Sequence, residues 1–180
     1  MNSKSRDESI IQAFGHLMPV RLGLTTEVRY KSVAALNRML AHCLALRDLY
    51  KLSHWQASGV TFYQLHLLFD KHYEAQAELA DAVAERVQTL GGVTHALSGD
   101  VESETRLSRA PRGRESASAE LTRLLDAHEL VLTEARVLAR EAAERGDDGT
   151  NDLLVSQVVR TNELQSWFIG VHLAASEPAA

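Results

Sequence analysis

The chain predicts an all-α protein, a bundle of four long helices with one long crossover, and three features of the sequence carry that expectation. Ala, Leu, Glu and Arg dominate long stretches while only three prolines and ten glycines are present, a composition that favours helices. Apolar residues recur at helical spacing through four long segments. Glycines punctuate those segments at Gly59, Gly91-Gly92 and Gly146. With 180 residues, 45% of them hydrophobic, a single domain can bury a sizeable core and no second domain is required.

Residues 1–30 mix polar and apolar positions around Pro19 and Gly23 and read as a tail that packs only in part. The bundle is expected over 31–175, with 176–180 a short C-terminal tail. In "VAALNRMLAHCLALRDLYKLSHWQ" (33–56), Leu36, Leu40, Cys43, Leu44 and the leucines beyond mark a first amphipathic helix. "ASGVTF" breaks it, with Gly59 as a stop and Thr61 as a candidate N-cap. The second helix is expected from about 62 to 90, ending at Gly91-Gly92. So short a connection packs the two helices antiparallel. Residues 93–116, with Gly99, Pro111 and Gly113, form a long crossover with room for a short helix. A third helix is expected over about 116–145, and after "GDDGTNDLL", with Thr150 as candidate N-cap, a fourth to about residue 175.

Composition narrows the function. A formal net charge of −5 repels a nucleic-acid backbone or an acidic membrane and favours cations, so any DNA contact must be local. The single cysteine, Cys43, excludes an intramolecular disulfide and any cysteine-built zinc or iron–sulfur site within one chain, and suits a reducing compartment. It reads as a small buried hydrophobe. No window approaches the length of an uncharged apolar membrane span, and the N-terminus has no signal-peptide run. The expected setting is the cytoplasm.

Chemistry concentrates in "HLLFDKHYEAQAELADAVAER" (66–86). At about 100° and 1.5 Å per residue, Asp70 and Asp81 lie about 20° apart in azimuth but roughly 16 Å apart along the axis, too far to share an ion. The apolar stripe Leu65, Phe69, Tyr73, Gln76, Ala80, Val83, Val87 and Leu90 faces the core, and His66, Asp70, Asp81 and Glu85 border it. Taken singly, each acid reads as a solvated helix edge. As a set they invite more: Asp81 and Glu85 repel at i,i+4, partly offset by Arg86, and a bound cation would reverse that sign. The hairpin also brings His54 level with His66. Two imidazoles and Asp70 make half a site for a divalent transition metal such as ferrous iron, with zinc and manganese as competitors. If two copies of the second helix pack antiparallel about a two-fold axis, the histidine end of one meets the Asp81/Glu85 end of the other.

The stretch "LYKLSHWQASGVTFYQLHLLFDKHYEAQAELADAVAERVQTLGG", together with "GTNDLL" and "WFIGVHL", resembles the Dps family, the miniferritins also called DNA-binding proteins from starved cells, over roughly 33–173. The resemblance implies a ferritin-like bundle assembled into a hollow dodecamer. It implies oxidation of Fe(II), preferably by hydrogen peroxide, at di-iron ferroxidase sites between subunits, with ferric mineral stored inside and DNA protected from oxidative damage. Carried over residue by residue, the ligands are His54, His66 and Asp70 from one subunit and Asp81 and Glu85 from its two-fold neighbour, with Trp55 matching the family's tryptophan beside the iron pair. A bacterioferritin-type centre within one subunit needs Glu-x-x-His, and no histidine here has Glu three residues before it.

Asp147, Asp148 and Asp152 surround the start of the fourth helix, where the macrodipole favours acids. In the family this region lines a three-fold pore, so Asp152 resembles an iron-entry residue. The spacing from Asp152 to Trp167 is one residue longer than in the commoner family form, a surplus that a π-bulge can absorb. Glu74 and Glu78 read as solvated or as cavity-facing acids. His42, His72, His95, His128 and His172 lack partners at ligand spacing and read as structural or surface groups. The alternative function is a nucleoid-associated protein that compacts DNA. Against it, residues 1–31 carry only a net +2, from Lys4, Arg6, Arg21, Arg29 and Lys31 against Asp7, Glu8 and Glu27. The one basic cluster, Arg106, Arg109, Arg112 and Arg114, offers either a weak phosphate surface or salt bridges to Glu102, Glu104 and Glu115.

Overall fold

In the computed structural model the described residues are 9–174, and among them the regular structure is entirely helical. Helix α1 spans Thr26–Gln56, α2 Phe62–Thr89, the short α3 Ser98–Glu104 and α4 Ala117–Glu144. The fourth long helix is built in three pieces: α5 (Asp148–Asp152), a π-helical stretch (Leu153–Val159) and α6 (Arg160–Ala174). The expected all-α bundle with a long crossover holding a short helix is the one found. The expected C-terminal tail at 176–180 lies outside the described residues.

Helix α1 begins seven residues before the predicted 33. Thr25 caps it by accepting from Val28 N (3.3 Å), Glu27 pairs with Lys31 one turn later (2.7 Å), and Arg29 is buried. The Arg29 guanidinium donates to the carbonyls of Met18 and Leu90, both at 3.0 Å. A buried arginine that stitches two loops together is invisible to a search for apolar periodicity. Upstream, Met18 N donates to Gly91 O (2.8 Å), and Gln12 donates to the same carbonyl (2.9 Å), so part of the N-terminal segment is laid against the end of α2. Gly91 is required there. Its φ is +82°, and an added Cβ would lie 2.6 Å from Met18 O.

Two further caps differ from expectation. Thr61 sits at the N-cap of α2 but its side chain makes no capping hydrogen bond. Thr150 is not the cap of the fourth helix. Asp147 is, and its carboxylate accepts from Thr150 N (3.1 Å) and from Thr150 Oγ1 (2.7 Å). An acid three residues earlier out-competes the hydroxyl because its charge also complements the exposed amides of the first turn.

The core runs the length of the bundle. Leu36, Met39, Cys43, Leu46 and Tyr50 of α1 meet Leu65, Phe69, Val83 and Val87 of α2, Leu124 and Val131 of α4, and Leu154, Val158 and Ile169 of the fourth helix, all fully buried or nearly so. Each such side chain contributes roughly 1.5–3 kcal/mol by leaving water. Cys43 is completely buried, as expected, and burial pushes its thiol up to about 12. The π-helical stretch Leu153–Val159 lies between Asp152 and Trp167, where the surplus residue was expected. Among the described residues no helix is long and apolar enough to cross a membrane.

Candidate metal centre

The turn 57–61 reverses the chain with Gly59 at φ +85° and brings the last turn of α1 against the second turn of α2. There the two histidines lock each other. His54 Nδ1 donates to the carbonyl of His66 (2.8 Å), and His66 Nδ1 donates to the carbonyl of His54 (2.9 Å). A carbonyl only accepts, so each Nδ1 carries the proton and each Nε2 keeps its lone pair. The rings stack with centroids 3.7 Å apart and planes 22° apart. Backbone bonds that fix a histidine's tautomer are the usual support of a metal ligand. Phe62 closes one side of His66, with ring centroids 5.2 Å apart.

Asp70 stands one turn beyond His66, its Oδ1 3.8 Å from His54 Nδ1 and 2.6 Å from Lys51 Nζ. Chiefly through the Lys51 hydrogen bond, its carboxyl is held below the usual range. It is therefore an anion at neutral pH. Lys51 was not singled out in the sequence, although its i,i+3 spacing to His54 places it on the same face of α1. The Lys51 ammonium also lies over the Tyr73 ring, 4.6 Å from its centroid.

The other candidate ligands stand apart. Asp81 and Glu85 are exposed, three turns further along α2, and Arg86 does not offset their repulsion as expected. Its guanidinium is drawn instead to Asp147 Oδ1 (2.6 Å) and Thr150 Oγ1 (3.1 Å). Asp147 is itself buried, accepts from Ser32 (2.6 Å), and is held in its anionic form by these hydrogen bonds and by Arg86 against the opposing cost of burial. It is an internal anchor between α1, α2 and the fourth helix, not a pore acid. Gly149 is packed so closely on Arg86 that an added Cβ would lie 2.9 Å from the guanidinium. Asp148 and Asp152 are exposed, with Asp152 Oδ1 accepting from Ser156 (2.7 Å). Trp55 is also exposed, at 66%. Among the described residues no group of three or more His, Cys, Asp or Glu side chains is arranged to hold a metal within one chain. The chemistry of the donors still fits iron: two free imidazole lone pairs and an ionised carboxylate at one end of α2, and two unpaired carboxylates at the other.

The remaining histidines fall where the sequence put them, outside this site. His42 is buried between Thr105 Oγ1 (3.2 Å) and Glu134 (2.9 Å), and His95 pairs with Asp100 (2.8 Å). His72 and His128 are buried in the bundle centre, and burial lowers their pKa values to about 3 and about 4. In the crossover, Arg109 pairs with Glu102 (3.0 Å) as expected. Glu115 instead pairs with Arg123 (2.9 Å), and Arg112 and Arg114 are exposed. Glu74 and Glu78 are exposed as well.

Comparison with known proteins places these observations. Residues 33–177 match the ferritin-like domain family. The structure superposes on DpsC from Streptomyces coelicolor with a TM-score of 0.91 at 51% identity, covering 95% of this chain and 99% of that one. This chain is a Dps-type member of the ferritin-like family. An uncharacterised protein of Kitasatospora aureofaciens is 47% identical over 140 residues, 76% of this chain and 91% of the relative. The Dps protein of Vibrio cholerae, described as one of a broad superfamily of ferritin-like diiron-carboxylate proteins, matches with a TM-score of 0.80 at 25% identity, over 88% of this chain and 99% of its own.

Proposed function

We propose that this Dps protein oxidises and stores iron, taking Fe(II) as substrate at sites shared between two-fold neighbours of a hollow dodecamer. The observation that carries the reading is the pair of locked imidazoles, His54 and His66, each with Nε2 uncommitted, and an ionised Asp70 3.8 Å from His54 Nδ1. On the same helix, Asp81 and Glu85 are held out of their reach. An antiparallel two-fold packing of α2 supplies the missing half of each site and brings Trp55 to its edge. Two ferrous ions then deliver two electrons to one hydrogen peroxide, giving two ferric ions and two waters with two protons taken up. His54 and His66 orient the metal, Asp70 and the neighbour's carboxylates neutralise its growing charge, and Asp152 marks a route of entry for cations. Ferric product passes to the acidic interior, and DNA is protected because no hydroxyl radical leaves the site.

Complementation tests the shared site. His54→Ala with His66→Ala in one chain, and Asp81→Ala with Glu85→Ala in another, should each abolish the fast phase of Fe(II) oxidation by peroxide. Mixed assemblies of the two should recover about one quarter of the sites, those that draw an intact half from each chain. No recovery in a well-assembled mixture would overturn the reading. The second reading, DNA compaction, has in its favour the exposed Arg112 and Arg114 of the crossover. A gel-shift titration separates the two: with so few free cations, binding should vanish at physiological salt.

A further inference from the structure

Two surface stretches far apart in the chain share a property that the fold of one subunit does not use. Residues 9–20, SIIQAFGHLMPV, and residues 55–65, WQASGVTFYQL, contain no Asp, Glu, Lys or Arg, in a chain that is 24% charged. The first of them forms a strap that is firmly laid down. Gln12 donates to His16 O (2.7 Å) and to Gly91 O (2.9 Å), Phe14 stacks on His95 with ring centroids 4.5 Å apart, and Leu17 packs on the core. The strap nevertheless turns its other large apolar side chains to solvent: Ile11 is fully exposed, and Ile10, Phe14 and Met18 are more than half exposed. The second stretch, at the turn between α1 and α2, does the same with Trp55, Val60 and Tyr63, and Val60 is fully exposed. Charge-free apolar surface of this kind marks a contact.

Within one chain the two surfaces cannot meet. The strap is pinned at Gly91, and Val60 lies beyond the opposite end of α2, a helix of 28 residues and so about 42 Å long. The shared iron site supplies the missing geometry. Placing His66 against Glu85 of the partner subunit, and Asp70 against Asp81 of the partner subunit, fixes the register of the two antiparallel helices. Each step towards the turn on one helix is then a step towards Gly91 on the other. Four steps on from His66, Phe62 comes level with Thr89 of the partner subunit, and two more bring Val60 level with Gly91 of the partner subunit, where the partner's strap is pinned.

We propose that the strap of each subunit seats its outward apolar residues on the 57–63 turn of its two-fold partner and forms one wall of that partner's iron site. The inference rests on the shared-site reading above, and the occupant of the turn is a second copy of this chain. Phe62 stands between the seam and the metal ligand. Its ring lies 5.2 Å from that of His66, and nearly half of it is still exposed in the single chain. Covering Phe62 excludes water from that side of His66 and fixes the ring against which the imidazole packs. Each dimer carries two such seams, one beside each site.

The test is disulfide trapping in the assembled full chain. Ile11→Cys with Val60→Cys in one polypeptide, treated with oxidised glutathione, is expected to give covalent dimers on a non-reducing gel, because the two thiols can meet only between subunits. Cys43 stays out of the exchange, being completely buried. Ala77→Cys alone reports the two-fold packing independently: it lies between His66 and Asp70 in azimuth on α2, and its own copy across the axis falls three positions away, about 4.5 Å along the helix. Dimers from Ala77→Cys but none from the strap pair, or dimers only when Ile11→Cys is combined with Val171→Cys on the exposed face of α6, would overturn the inference and leave the shared site standing. No dimers from Ala77→Cys in an assembled shell would overturn both. Ile11→Asp places a charge in the seam and reads the effect on the site. It is expected to raise the ferrous concentration at half-maximal oxidation rate by about tenfold, with the rate at saturating iron within about twofold of the unaltered protein. An unchanged half-saturation, or an equal loss in both quantities, would overturn the wall. If that variant fails to assemble, the trapping result decides.

Discussion

The two histidine pairs of this protein sit within about two helical turns of each other, His66 and His72 on the same helix, and are built for opposite ends. His54 and His66 lie where α1 and α2 meet at the turn, half-buried, each spending its Nδ1 on a backbone carbonyl and leaving Nε2 uncommitted. His72 and His128 lie in the centre, where burial keeps both neutral far below the usual histidine range. His128 has both ring nitrogens engaged by side chains of other helices. An imidazole is free to ligate when the fold satisfies one nitrogen and leaves the other uncommitted; His128, with both satisfied, is a structural group, and His72 is held neutral chiefly by burial, its Nδ1 without a partner.

Breaking the pair at the turn should have the largest effect. His54→Ala is expected to slow peroxide-driven Fe(II) oxidation by at least about 100-fold in stopped-flow absorbance, beyond the usual cost of losing a supporting contact, while leaving assembly intact. Breaking the central pair should instead cost stability. His128→Leu leaves the Tyr50 hydroxyl without its acceptor and is expected to destabilise the fold by roughly 2–4 kcal/mol in urea titration.

Acid separates the pairs next. An unfolded chain binds a proton on each histidine near its usual pKa of about 6.5, while folded His128 and His72 refuse one until about 4 and about 3. Between those values the unfolded state holds more protons, so stability is full above about 6.5 and falls as pH drops towards 4. Each group should contribute a loss of roughly 2–4 kcal/mol, read as a falling urea midpoint. His128→Leu should flatten that slope, and His54→Ala should not. The smallest effect expected is at Lys51. Lys51→Met frees Asp70 Oδ1 and should tighten anaerobic Fe(II) binding by up to about fivefold in calorimetry, the scale of a partly exposed ion pair.

The pair at the turn was legible in the sequence and the centre was not. The helices, the crossover helix and the π-helical surplus follow from periodicity, glycine punctuation and a family spacing. The ligand candidates follow from acids and histidines that recur on one edge of a helix. The partners of Tyr50 come from positions 128 and 162, and no local pattern links residues so far apart. Arg86 misled for the same reason. Beside Asp81 and Glu85 in the sequence it reads as their counter-charge, whereas a carboxylate sixty-one residues away, buried and unable to find water, holds it far more firmly.

The π-helical stretch has a consequence for how this helix can change. On its N-terminal side the chain is tethered through Asp147 and Thr150 to Arg86, and on its C-terminal side through Asn162 and Gln165 to Gln76. The wide turn between them works as a slip joint that takes up surplus chain without disturbing either tether. A single-residue deletion between the tethers should relax it to an ordinary α-helix, whereas the same deletion inside a tether would swing one of its two side chains by about 100° off its partner. Between the two tethers, a residue can be lost at that joint without unfastening the bundle.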